Sequence, residues 1–375
     1  MQTQFRTISN VRVRVAREVA GLTKAQLADY LEVTPRTINT FENEGAPVSH
    51  APALSAATGR PLGFFTNEPF DGIEESIVQF RGSKRLSKRR KAESTSYGAI
   101  GLMFYQRLVE PYKLPAVQVP TFDNVSPEQA AVKLRADWLL NEEPLPNLVQ
   151  LFESKGVRIL SLPKAIEKLD AFSYWYSDGK PYIFLNRSKT AERTRFDLAH
   201  ELGHLVLHSR ELDSKRDLEK EADRFAAEFL MPARSIHRDM NPYADAQEIL
   251  RLKAKYRVSA MAMNYRGGEL GILKEWGQRQ NYQELSKRGF RFGEPDGLKL
   301  DRSRVLPYVL GDMRAKGKSI AKLAAEVGVT MQDVNGFTFG EVLAAVDDGT
   351  TRHKNFETVD EDEARQHNRR KFHLV

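Results

Sequence analysis

The chain has 375 residues, 41% of them hydrophobic, no cysteine and a formal net charge of +7. That length predicts two or three domains with ordinary cores, and the lack of cysteine excludes disulfides and thiolate metal sites and fits a reducing cytoplasm. No uninterrupted apolar run of about 18 residues is present, so no membrane span is expected. The opening MQTQFRTISNVRVRV lacks the apolar stretch of a signal peptide. An isoelectric point near 9.3 permits a nucleic-acid partner without specifying one.

Residues 8 to 66 read as five short helices. Val11, Val15, Ala16 and Val19 stripe the first, and Gly21 ends it. Thr23 caps the second, Lys24 to Leu31, and Glu32-Val33 makes a turn. Thr34 caps the third, Pro35 to Asn43, with proline at the favoured first position. Helix, tight turn and second helix with a polar outer face is the helix-turn-helix rhythm. The stretch LTKAQLADYLEVTPRTINTFENEGAPV resembles the XRE (Cro/repressor-like) DNA-binding family. The resemblance implies that the third helix enters the major groove. Its exposed candidates are Thr34, Arg36, Thr37, Asn39, Thr40 and Asn43, with Gln26 bracing the third helix or touching phosphate. Arg can read guanine and Asn adenine through paired hydrogen bonds, whereas Thr suits phosphate or thymine methyls.

From residue 69 the composition changes. Six basic residues and no acid lie between Lys84 and Lys91, as a phosphate-contacting arm or as a solvated linker face. Residues 94 to 114 read as a helix bridging to the next domain or forming a dimer seam. Ser126 and Pro127 open another helix, and Leu148 to Lys155 is helical. The periodicity then switches to two: strands are predicted at 157–160, 171–176 and 181–186, the last two joined by an Asp178-Gly179 turn. Tyr182 to Asn186 is the candidate edge strand for an extended peptide.

The centre of the chain is Arg195 to Pro232, containing His200-Glu201-Leu202-Gly203-His204. On a helix, residues four apart lie about 40° apart around the axis and one turn along it. The two imidazoles therefore converge, and Glu201 sits to one side, as a metallohydrolase requires: two ligands, a base and an open position. Without cysteine, the third ligand must be His, Asp or Glu. In the following helix Glu219 lies beside a small-residue stripe of Ala222 and Ala226 and is the expected ligand, with Asp223 as its neighbour. Glu221 competes with Glu219, from which it points about 200° away. Asp197 and Asp223 are expected to orient the imidazoles. His208 is either a further support or a solvated helix end. Arg195, Tyr174 and Tyr182 are candidate oxyanion donors.

The residues Phe196 to His204, Glu219 to Asp223, Phe225-Ala226-Ala227 and Leu230-Met231-Pro232 resemble the ImmA/IrrE metallopeptidase family. The resemblance implies a zincin-like fold in which His200, His204 and Glu219 bind Zn2+ and Glu201 is the catalytic base. Further on, Ala244 to Lys255 is helical, Val258 to Leu273 reads as a helix-turn-helix-like pair in which Arg266 and Glu269 can pair, and Gly289 to Gly297 as a linker. Residues 302 to 346 repeat the helix-turn-helix rhythm with a less polar outer face, which favours protein contact or dimerisation. The tail from Asp347 is expected to be mobile.

The expectation is a mainly α chain with a small β-sheet (α+β): a DNA-binding unit at 1–68, a basic linker and bridging helix at 69–125, a zinc metallopeptidase domain at 126–297 and a C-terminal helical module at 298–375. Such a chain would be a cytoplasmic, bacterial or phage-encoded regulator. It would bind double-stranded operator DNA as a homodimer, and cleave a repressor partner or itself after stress. The alternative is a regulator or antitoxin-like protein whose zinc domain senses, or binds a partner such as a toxin, with little proteolysis.

Overall fold

A computed structural model describes residues 7–73, 79–80, 87–162, 171–208 and 217–342. Its elements are mostly helices, with two small sheets. Lys84, Arg85 and the tail from Asp347 lie outside the described residues. Among the described residues, no helix is long and apolar enough to cross a membrane.

The N-terminal bundle forms where the caps predict. Helix α1 (Asn10–Val19) buries Val13, Val15, Ala16 and Val19. Thr23 and Gln26 form a reciprocal capping box at the start of α2 (Lys24–Leu31). Gln26 is thus engaged at the helix end, its side chain 2.9 Å from the Thr23 amide, rather than bracing the third helix. Glu32 ends α2 in the left-handed region, at φ 54°. Thr34 caps α3 (Pro35–Glu44), and Ile38 and Phe41 anchor it. Helices α4 (Ala51–Thr58) and α5 (Leu62–Thr66) complete the bundle. Strand β1 (Thr7–Ile8) pairs with β2 (Ala46–Pro47).

Beyond the bundle come β3 (Gln79–Phe80) and the 22-residue α6 (Lys88–Val109), capped by Ser87. The described part of the basic run opens α6. Arg89 donates to the Gly21 carbonyl and Arg90 pairs with Glu93 at 3.0 Å, so both are tied to the chain itself. The helix does bridge to the next unit, but it is not an open seam: from Ser94 to Leu108 most of its residues are buried within the chain.

The next unit contains α7 (Pro127–Asp137), α8 (Leu148–Ser154), β4 (Arg158–Ser161), β5 (Ala171–Trp175), β6 (Pro181–Leu185), α9 (Ala191–Leu207), α10 (Leu218–Leu230), α11 (Ala233–Asp239), α12 (Ala246–Tyr256), α13 (Ala260–Glu269) and α14 (Glu275–Lys287). Residues 258–273 form one helix and a turn, not a pair. The helix runs on through Gly267-Gly268, and a Cβ at either glycine would collide with Met240, Leu273 or Gln278. Arg266 does pair with Glu269, at 2.6 Å, and also with buried Glu228. The last unit contains α15 (Val305–Ala315), α16 (Ile320–Val327) and α17 (Met331–Phe337).

The larger sheet has the order β3-β5-β6-β4. β5 runs antiparallel to β6 and β3, whereas β4 is parallel to β6. Strand β6 is therefore interior, hydrogen-bonded on both sides, and cannot be the open edge expected at 182–186. Two cores meet at this sheet. Phe172, Tyr174, Tyr182, Phe184 and Leu160 enter the core formed with the N-terminal bundle, α6 and the C-terminal module. Ala171, Ile183, Leu185 and Ile159 enter the core of α7 to α14. This is the period-two alternation of strands whose two faces are both buried. Phe172 and Phe184 are paired across the strands and stacked, with centroids 4.7 Å apart.

The C-terminal module straps the two cores together. Asp333 of α17 pairs with Arg60 at 2.6 Å, and Asn67 donates to the Glu326 carbonyl at 2.7 Å. On the other side, Asp301 pairs with Arg195 at 2.5 Å, and Glu153 accepts from the Arg304 amide at 2.8 Å and from the Ser303 hydroxyl. Burial pushes the Glu153 carboxyl above its usual range, against those donors. These contacts of the module lie within the chain itself.

Candidate metal centre

Two helices build the site. Thr190 caps α9, whose residues from Leu198 to Leu207 are all buried. Asp217 caps α10, which buries Ala222, Phe225, Ala226 and Phe229. The helices approach closely because Gly203 has no side chain: a Cβ there would lie 3.0 Å from Phe225 and 3.3 Å from the Ala222 Cα. That approach brings the α10 carboxylates to the imidazoles of α9.

His200 and His204 present their Nε2 atoms to each other at 3.0 Å. Glu219 Oε1 is 3.4 Å from His204 Nε2, and Oε2 is 3.8 Å from His200 Nε2. Tetrahedral zinc ligands about 2.1 Å from the ion stand about 3.4 Å apart, so the spacing suits a cation at their centre. The three residues offer ligand atoms all within 4.8 Å of one another.

The surrounding hydrogen bonds decide which lone pairs face inward. Asp223 lies 2.8 Å from His200 Nδ1, which places the proton on Nδ1 and leaves the Nε2 lone pair for the centre. His208 is buried, with its Nδ1 2.9 Å from His204 Nδ1 and its Nε2 3.0 Å from Glu221. The Glu221 carboxylate holds the proton on His208 Nε2. His208 Nδ1 then accepts from His204 Nδ1, and His204 Nε2 also turns a lone pair inward. Two imidazole lone pairs and a carboxylate thus converge with no proton between them. Such an arrangement is repulsive by itself and fits a divalent cation. A nitrogen and oxygen donor set without sulfur suits zinc among the common choices.

Asp223 reaches His200, and Glu221 supports His204 through His208 rather than competing with Glu219 for the centre. Asp197 is buried and pairs with Arg193 at 3.1 Å and Lys189 at 3.6 Å, tying down the first turns of α9. Glu201 is fully buried and turns toward β5. Its Oε2 is 2.7 Å from the Ser173 hydroxyl, which also lies 3.2 Å from the Glu201 carbonyl. Ser173, His208 and Glu221 are the participants hardest to see in the sequence. Only the position of His208 one turn after His204 carries a signal.

None of the three oxyanion candidates stands beside Glu201. Arg195 is consumed by Asp301 and by the carbonyls of Leu145, Pro146 and Arg257. Burial lowers its pKa against the pull of Asp301. Tyr174 and Tyr182 point into the core on the opposite face of the sheet. Burial pushes the Tyr182 phenol up to about 12 and raises Tyr174 as well, so both stay neutral.

At the N-terminal bundle, Arg36, Asn39, Thr40 and Asn43 are exposed along α3, with Thr34 exposed at its cap and Thr37 half-buried. Thr34 and Thr37 share a hydroxyl contact of 2.9 Å, and Lys24 donates to Asn39 at 2.7 Å.

A search of curated proteins finds no match. Residues 152–267, however, match a family model described as the IrrE N-terminal-like domain, Peptidase_M78. The matched segment runs from α8 into α13 and contains His200, Glu201, His204, Glu219 and Asp223. In this part of the chain, the likeness is to a metallopeptidase of the ImmA/IrrE kind.

Proposed function

We propose that the chain is a sequence-specific DNA-binding regulator whose central unit is a zinc-dependent endopeptidase. The observation that carries the peptidase reading is the convergence of the His200 and His204 lone pairs with the Glu219 carboxylate, next to a buried carboxylate that is not part of the trio. His200, His204 and Glu219 would hold the ion, and Asp223 and the His208–Glu221 pair would hold the imidazoles in the ligating tautomer. When bound, zinc supplies an electrophile that acidifies water and polarises a peptide carbonyl. Glu201 takes up the proton of the attacking water and delivers it to the leaving amine. The Ser173 hydroxyl, bonded to Glu201 Oε2, sets the rotation of that carboxylate.

The DNA-binding reading rests on the capped α2–turn–α3 unit and on the exposed Arg36, Asn39, Thr40 and Asn43. In this reading α3 lies in the major groove of operator DNA, and the substrate is a partner protein such as a repressor.

The test compares wild type with Glu201→Gln. Both are analysed for bound zinc, then incubated with bacterial lysate, and new fragments are read by mass spectrometry. The expected result is about one zinc per chain in both proteins, as one set of three ligands requires, and fragments from wild type alone. Zinc in both with fragments from neither turns the reading to a sensor or partner-binding module. Zinc in neither removes the Glu219 assignment.

A further inference from the structure

The outer edge of β5 runs beside the site, and the chain itself occupies it. On one side β5 is paired along its length with β6. On the other, Gln79 and Phe80 of β3 stand opposite Ser173 and Phe172. The residue opposite Gln79 is therefore the one whose hydroxyl lies 2.7 Å from Glu201 Oε2. Extended peptides are commonly captured by adding a strand to an open sheet edge, where main-chain bonds supply affinity with little regard to sequence. Strand β6 has no open edge. A peptide that reaches Glu201 in this way must take the place of β3.

We propose that the outer edge of β5 is the peptide-binding surface of the site, that Gln79–Phe80 is its resident occupant, and that an extended peptide pairs there only by displacing this segment. The inference rests on the peptidase reading above and adds to it the substrate class, an unfolded or extended segment, and a resting block supplied in cis. The block is displaceable by construction. Among the described residues it pairs through two, Gln79 and Phe80, and a segment joined covalently to the same chain competes at an effective concentration of about millimolar order. A longer strand from another protein forms more main-chain bonds and prevails.

The same geometry argues that the segment is a guard and not a substrate whose cleavage frees the DNA-binding unit. A cut at Gln79–Phe80 would leave that unit anchored. Glu18 accepts from Ser96 of α6 at 2.6 Å, Arg60 pairs with Asp333, and Phe64 and Phe65 are buried in the shared core.

The experiment uses the full zinc-loaded chain in the Glu201→Gln background, so that binding is read without turnover. The probe is a fluorescent synthetic peptide with the sequence of residues 77–82. Its affinity is measured for this protein and for the same protein carrying Gln79→Pro and Phe80→Pro, which remove both strand donors. The double-proline protein is expected to bind about tenfold tighter, the factor for an edge open about a tenth of the time. Hydrogen exchange should show the β5–β6 pairing still protected. A Gln79→Gly, Phe80→Gly pair, which keeps the donors but weakens the strand, should fall between the two, and it decides the matter if the proline protein loses β5–β6 protection. Equal affinities across the series, or no binding to any member, overturn the proposal. Failure of wild type to cut lysate proteins would sink the peptidase reading and leave these affinities standing, so the two failures are separable.

Discussion

The chain contains the helix-turn-helix rhythm twice, and the two copies have opposite fates. In the first, a Thr23–Gln26 capping box opens α2, Glu32 turns the chain at φ 54°, and Thr34 caps α3. In the second, Ser319 caps α16, Gly328 turns the chain at φ 82°, and a Thr330–Asp333 capping box opens α17. The local construction is nearly the same. The difference lies in what covers the second helix. α3 keeps Arg36, Asn39, Thr40 and Asn43 in solvent, whereas α17 gives Asp333 to Arg60 and buries Phe337 against α6. A helix-turn-helix is a way to present a helix. Whether that helix stays open to solvent or is taken up by its own chain is set by the residues that face outward.

The largest expected effect follows from breaking the second copy's covered face. Phe337→Ala removes a fully buried ring between α17 and α6 and should cost about 3–5 kcal/mol in denaturant unfolding. A cost under about 1 kcal/mol would show that the strap is not part of the cooperative unit. Asp333→Ala should come next, at about 3 kcal/mol, because it leaves the half-buried Arg60 guanidinium without its partner and also removes half of the capping box. An exposed residue on the open face of the first copy, Arg36, should behave otherwise. Arg36→Ala should leave the unfolding midpoint unchanged and weaken binding to operator duplexes selected from a random pool by about 1–3 kcal/mol. Gln332→Ala, exposed on α17, should not change that binding.

The turns sharpen the comparison at smaller scale. Gly328→Ala puts a Cβ within 2.5 Å of the Phe64 backbone at a left-handed φ and should cost about 2–3 kcal/mol. Glu32→Gly, at the corresponding turn of the open copy, relieves a left-handed non-glycine residue and should raise stability by about 0.5–1 kcal/mol. Thermal unfolding of the two variants, compared with wild type, should therefore move in opposite directions.

Much of this organisation is legible in the amino-acid sequence. The caps at Thr23, Thr34 and Ser126, the strands near 158, 171 and 181, and the helix carrying the two imidazoles all follow from short-range rules, because capping and amphipathic periodicity act within a few residues. The convergence of Glu219 and Asp223 on that helix is expected from a small-residue stripe. Other features depend on partners distant in sequence. His208 looks like a helix end until Glu221 is seen to hold it. Ser173 is an unremarkable strand residue until β5 is laid against α9. The long run of residues 94–108 reads equally well as a seam or a bridge, and only the other elements packed around it decide that it is a buried pillar.

By itself, the sequence determined the helices, the turns, the residue types able to hold a cation and the polar face of α3, since each is set by local backbone preference and side-chain chemistry. The tertiary structure alone decided that β6 is interior, that Gln79–Phe80 pairs with the outer side of β5, and that the second helix-turn-helix unit is spent on its own chain. Those outcomes depend on which surfaces meet. Pairing across 94 residues, from Gln79 to Ser173, or across 273, from Arg60 to Asp333, leaves no trace in local periodicity. It is selected by the burial of whole faces, where the hydrophobic effect acts on the folded surface and not on neighbours in the chain.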